Sequence, residues 1–127
     1  MKQRIGIVWY SVAGLIGLVF GVFYAFFGLE GLPVYHKFVA EDSLVPWKNG
    51  LYGSVFIGFS ILMLFLGRYA FEKDDKRLMK ILLYGLSSWL AVEAFFSILN
   101  GVYFNVGVDI VLAAVLGFPL LKGIRSP

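Results

Sequence analysis

Glu93 and Asp109 are the residues of this chain best placed to do chemistry, because no Lys, Arg or His stands between Ile81 and Leu121 to neutralise either carboxylate. An ionised carboxylate among apolar side chains is costly unless it is paired. It must take up a proton, hold a cation or the cationic part of a ligand, or meet a basic group of another chain. Each of these outcomes is a function or a partnership.

Polar residues accompany both carboxylates. Trp89, Glu93, Ser97 and Asn100 succeed one another along one face of a helix, and Asn105, Asp109, Ala113 and Gly117 do the same on the following stretch. Such a pair suits proton exchange or the binding of a cationic group. Acid chemistry at Glu93 and base chemistry at Asp109, on a lipid or isoprenoid, would need environments that set the two groups apart.

The elements that hold these residues are apolar blocks. Of 127 residues, 60% are hydrophobic and 18% aromatic, against about 45–50% apolar in soluble domains. The blocks Ile5–Leu29, Asn49–Gly67, Ile81–Leu99 and Val102–Leu121 are each close to the ~20 helical residues that cross a bilayer. The fold expected is therefore all-α: a polytopic membrane protein, a single four-transmembrane-helix bundle over residues 1–127. Its helices are expected at about 5–29, 49–68, 79–100 and 103–121, with an outer loop at 30–48 and a cytoplasmic loop at 69–78. Lys2 and Arg4 precede an apolar run too long for a signal h-region and followed by no small-residue cleavage site, so the first span is expected to stay attached.

Charge sets the orientation. Lys2, Arg4, Arg68, Lys73, Lys76, Arg77, Lys80, Lys122 and Arg125 fall on one side, and only Lys37 and Lys48 on the other. Both termini are expected to be cytoplasmic, in a multi-pass protein of the cell membrane. The formal charge of +3 belongs to helix ends facing anionic headgroups, so the lipid bilayer is the expected partner and nucleic acid is not.

Several chemistries are excluded by composition. With no cysteine, disulfides, thiolate metal sites and dithiol redox chemistry are absent. His36 is the sole histidine and lacks the companions of a zinc site, so no metal and no cofactor are expected. The glycines of Asn49-Gly50-Leu51-Tyr52-Gly53 do not spell a phosphate loop. Ala13, Gly17, Gly21 and Ala25 recur every four residues on the first helix, a face for close helix packing within the bundle or in a homo-oligomer or larger membrane complex.

Depth joins the two carboxylates. Counted from the turn at Gly101-Val102, Glu93 lies about 13 Å and Asp109 about 10 Å along its helix at ~1.5 Å per residue. If both polar faces point inward, Glu93, Asp109, Ser97, Asn100 and Asn105 form one cluster in the outer half of the bundle, with Trp89 on the same face. Asn105 is alternatively the N-cap of the fourth helix, which would leave Asp109 in its first turn, where the dipole and water favour a charge.

Three functions are compatible with this pattern. The first is a binding or accessory protein whose polar pocket takes a lipid, another amphiphilic ligand or a membrane partner. The second is a proton- or cation-coupled small transporter acting through Glu93. The four-helix plan with a membrane glutamate is similar to that of small multidrug transporters, whose glutamate stands in the first helix; here no charge precedes Glu30 in that helix, and the family is not assigned. The third is a lipid-modifying membrane enzyme using Glu93 and Asp109. Catalysis ranks last, since no nucleophile with its base, metal cluster or phosphate clamp is legible in the spans.

Overall fold

The computed structural model describes residues 19, 22, 23, 25–28 and 40–127, where helices are the only regular structure. The chain divides into two compact units, Met1–Tyr52 and Gly53–Pro127. In the first, residues 19, 22, 23 and 25–27 are helical, the rings of Phe23 and Phe27 lie 5.1 Å apart, and Gly28 has a φ of +62°. Ala25 is helical and exposed, while Ala13, Gly17, Gly21 and His36 lie outside the described residues, as does most of the expected first span.

Three long helices follow. Helix α1 is Glu41–Glu72, α2 is Lys76–Leu99, and α3 is Tyr103–Arg125, whose α-helical parts Tyr103–Leu112 and Phe118–Arg125 are joined by a π turn at Ala113–Gly117. Val45–Glu72, Lys76–Leu99 and Tyr103–Arg125 are long and apolar enough to cross a membrane, with mean hydropathies of 1.9, 1.6 and 2.0.

Two connections are shorter than the sequence suggests. Helix α1 starts inside the expected outer loop 30–48 and runs through Pro46. Pro46 is the sixth residue of the helix, so it removes one backbone bond, to the Asp42 carbonyl, with little more than one turn before it. Asp42 and Ser43 also suit a helix start. The expected cytoplasmic loop 69–78 shrinks to residues 73–75. There Asp74 takes a left-handed φ of +49°, its N–H donates to Phe71 O, and the Asp75 N–H donates to Ala70 O at 2.8 Å. These are the paired bonds of a Schellman cap, closed by an aspartate in place of glycine. Asp75 then caps α2, its Oδ1 accepting from the Leu78 N–H at 2.9 Å.

The far end of α2 closes in the same way on the expected residues. Gly101 has a φ of +72°, its N–H donates to Ile98 O, and the Val102 N–H donates to Ser97 O. Glycine takes this conformation without a Cβ clash, so α3 turns straight back along α2.

The α2–α3 seam carries the core. Met79, Leu82, Leu86, Leu90 and Ser97 are buried on α2 at spacings of three, four and seven, a helical stripe facing α3. Ala70 of α1 and Leu120 of α3 join Met79 and Leu82 in the apolar cluster. Gly123 lets α3 approach closely, since a Cβ there would meet Met79 Sδ at 2.7 Å and Phe71 Cε1 at 3.0 Å. Lys76 Nζ donates to Ser126 O. The end of the unit that holds Arg68, Lys73, Lys76, Arg77, Lys80, Lys122 and Arg125 is thus strongly basic, while the Asn100-Gly101 end carries no basic residue.

Candidate functional site

Nearer the Gly101 turn the seam changes from apolar to polar. Glu93 and Ser97 continue the stripe of Leu86 and Leu90, so their side chains face α3 rather than the outer surface. Asn105 answers them: its Nδ2 donates to Glu93 Oε1 at 3.2 Å and to Ser97 Oγ at 3.0 Å. One amide therefore ties the two helices together across the seam.

Asn105 is not the cap of α3. Val102 is the N-cap of α3, without a side-chain bond, and Asn105 sits inside the first turn. Its side chain is drawn to Glu93 and Ser97 because a carboxylate in apolar surroundings accepts hydrogen bonds more strongly than an end group open to solvent. Asp109 accordingly lies not in the first turn but a full turn further in.

Asp109 is only 3% exposed, and both its carboxylate oxygens are buried without a hydrogen-bond partner in the protein. Asp109 follows Asn105 by one turn on the same face of α3, the face on which Asn105 meets Glu93. Two carboxylates thus share one seam; Glu93 is held by a donor and Asp109 is not. Buried polar groups are almost always bonded, so Asp109 is the site's outstanding feature.

Immediately beyond it comes the π turn. Pro119 has no N–H for Val115 O, and its ring would press on that carbonyl in a regular α-helix. The wider turn ending at Gly117 gives it room, and a Cβ added to Gly117 would meet Leu83 and Leu86 of α2 at 3.7 Å. Such turns recur at functional sites.

Three residues expected near the carboxylates stand elsewhere. Asn100 caps α2 and is exposed, its Nδ2 donating back to Phe96 O at 2.8 Å, since a short amide at a helix end competes for the free carbonyls. Ala113 is exposed, carried off the face by the π turn. Trp89 packs on α1, with ring centroids 4.9 Å from Phe59 and 5.7 Å from Phe56.

Trp89 borders a feature that spacing on α2 and α3 did not reveal. A cavity of about 420 Å³ runs between α1, α2 and α3, lined by Phe56, Phe59, Ser60, Met63, Leu64, Gly67, Arg68 and Phe71 of α1, Trp89 of α2 and Leu112, Val115, Leu116, Pro119 and Leu120 of α3. The α1 positions recur at three and four, so a whole face of that helix lines it; this periodicity was the signal available in the sequence. Among the described residues no three His, Asp or Glu side chains gather into a metal-binding group. Comparison with protein-family models, curated proteins and solved structures found no match.

Proposed function

We propose that this is an integral membrane binding or accessory protein of four spans with both termini cytoplasmic, and that its α2–α3 seam receives the cationic group of an amphiphilic ligand or membrane partner in the outer half of the bundle. The observation that carries the reading is Asp109, buried beside Glu93 with neither oxygen bonded. A cationic head between the two carboxylates would satisfy Asp109 and relieve the repulsion from Glu93, and the apolar seam below would take the tail. Asn105 fixes Glu93 for that contact.

Infrared spectroscopy of the carboxyl stretches in lipid tests this, with a lipophilic quaternary ammonium as the probe and Glu93→Gln and Asp109→Asn for assignment. Both carboxyl bands should move on adding the probe, and the shift should vanish in Asp109→Asn. Bands indifferent to the probe in the wild type would refute the reading. Labelling of a cysteine placed in 30–48 from the outside tests the orientation.

The π turn beside Asp109 favours a second reading, in which α3 shifts and the pair exchanges a proton for a cation. It requires a pH-driven flux in liposomes that Glu93→Gln abolishes.

A further inference from the structure

The cavity against α1 lies along the seam from the carboxylates toward the basic end, and its chemistry is different. Thirteen of its fourteen described lining residues are Phe, Trp, Leu, Val, Met, Pro, Gly or Ser, and the remaining one is Arg68. A site for a cationic amphiphile would not have arginine as the one charge among its described lining residues. Shape, length and charge together decide what fits.

The shape is that of a trough along one helix. Phe56, Ser60, Leu64 and Arg68 succeed one another at intervals of four along α1, so the trough from Phe56 to Arg68 is about 18 Å long at ~1.5 Å per residue. One leaflet of a ~30 Å hydrocarbon core is about 15 Å deep. The trough therefore accepts one extended acyl chain with its head at Arg68. Its volume of about 420 Å³ lies within the usual range for small-molecule sites.

Charge selects the head. Arg68 is exposed, and among the described residues its partner is Glu72 at 3.4 Å, one turn along the same helix. An exposed pair of that kind contributes little and exchanges readily for a better acceptor. A phosphate takes the guanidinium in a two-pronged contact that a carboxylate at this distance does not make. Lys76, Lys122 and Arg125 stand at the same end of the unit. The apolar run at 5–29, the other candidate to fill the trough, has no acidic residue to answer Arg68.

We propose that the cavity between α1, α2 and α3 holds one acyl chain of an anionic phospholipid, with its phosphate on Arg68. The bound chain stands in for a neighbouring helix against α1, and its head fixes the depth of the basic end in the leaflet. The site is distinct from the carboxylate pair, and it stands or falls without the function proposed above.

Trp89 supplies the readout, since it lines the cavity. In a Trp9→Phe, Trp47→Phe background, the full-length protein is placed in vesicles with brominated phosphatidylglycerol or brominated phosphatidylcholine, and quenching of Trp89 is followed against mole fraction. Phosphatidylglycerol should quench at about one fifth of the mole fraction that phosphatidylcholine needs, the effect of one basic residue at an anionic surface. Arg68→Gln should remove the preference, Arg68→Lys should retain part of it, and Ser60→Phe, which fills the trough, should weaken quenching by both lipids. Trp89 emission in lipid without bromine shows that each variant is folded. Equal quenching by the two lipids, or quenching unaffected by Ser60→Phe, overturns the proposal. So does a near-complete disulfide between cysteines replacing Ser60 and Gly17, which would put the chain's own first span in the trough.

Discussion

Asp109 and Gly117 are eight residues apart on α3, and both are buried, Gly117 on the side of Leu83 and Leu86 of α2 and Asp109 one turn beyond Asn105 on the side that meets Glu93. Eight residues of regular α-helix would rotate about 80° beyond two full turns and take one of them off the seam. The π turn at Ala113–Gly117 absorbs the extra residue, so the polar half of the seam and the apolar half stay in register.

That relationship makes a deletion milder than an insertion. Removing Ala114 leaves seven residues between the two positions, about 20° short of two turns, and α3 can close as plain α-helix. Thermal unfolding in detergent should show the deletion costing no more than about 1 kcal/mol, while an alanine inserted after Ala114 should broaden or abolish the transition. Equal damage from both would show that the turn does not set the register.

Among the described residues, Asn105 bridges the polar half of the seam. Asn105→Leu removes its bonds to Glu93 and Ser97. Interhelical hydrogen bonds in membranes average about 0.6 kcal/mol, and depriving buried acceptors of a donor adds to that, for a loss of about 1–2 kcal/mol. In an unfolding series, Glu93→Gln with Asn105→Leu should cost clearly less than the two single changes added together. Strict additivity would mean that the two side chains do not act on each other.

At the basic end, a Cβ added to Gly123 would meet Met79 Sδ at 2.7 Å and Phe71 Cε1 at 3.0 Å. The thioether is the flexible tip of a long side chain and can move aside, so Gly123→Ala should change stability by less than about 1 kcal/mol. Gly123→Val should cost about 1–3 kcal/mol, and Met79→Ala introduced beside it should recover part of the loss. A valine tolerated as well as alanine would contradict the close approach of α3 to Met79 and Phe71.

The neighbours Asp74 and Asp75 should respond in opposite directions. Asp74 occupies the left-handed region at φ +49°, which glycine adopts without strain, so Asp74→Gly should stabilise by up to about 1 kcal/mol. Asp75 caps α2 through Leu78 N–H, and Asp75→Ala should cost about 0.5–2 kcal/mol. Comparing the two unfolding midpoints is sufficient, because a shared sign would mean that the loop charge, not the backbone, decides.

The apolar runs made three of the long helices legible, because length and hydropathy alone set what can cross a bilayer, and Asn100-Gly101 marked the reversal because glycine is the residue that turns there without strain. The meeting of Asn105 with Glu93 and Ser97 followed from spacing, since a helix repeats its faces. Other features depend on what spacing does not encode. Asp74 reads as a solvated charge until its φ is known, and Pro46 reads as a loop residue until the helix around it is seen. The π turn interrupts the very periodicity by which Ala113 was placed, with Pro119 as its only local mark. Asn100 turned back to the Phe96 carbonyl of its own helix end, and Trp89 was claimed by Phe56 and Phe59 of α1, so both left the cluster.

Asp109 separates stability from use. A buried carboxylate with two unbonded oxygens is a cost that the fold carries, and proteins keep such costs where activity needs them. Asp109→Leu, which fills the same space with apolar atoms, should therefore raise stability by about 1–3 kcal/mol, and Asp109→Asn should be neutral or mildly stabilising, because its amide can donate to Glu93. Both should lose the infrared response to a lipophilic ammonium ion that the wild type is proposed to give. Unfolding in detergent and the infrared titration, run on the same three proteins, distinguish the cases. A gain in stability together with loss of the response is the signature of a working site, whereas a large loss of stability in Asp109→Leu would make Asp109 a structural residue whose partner belongs to the fold.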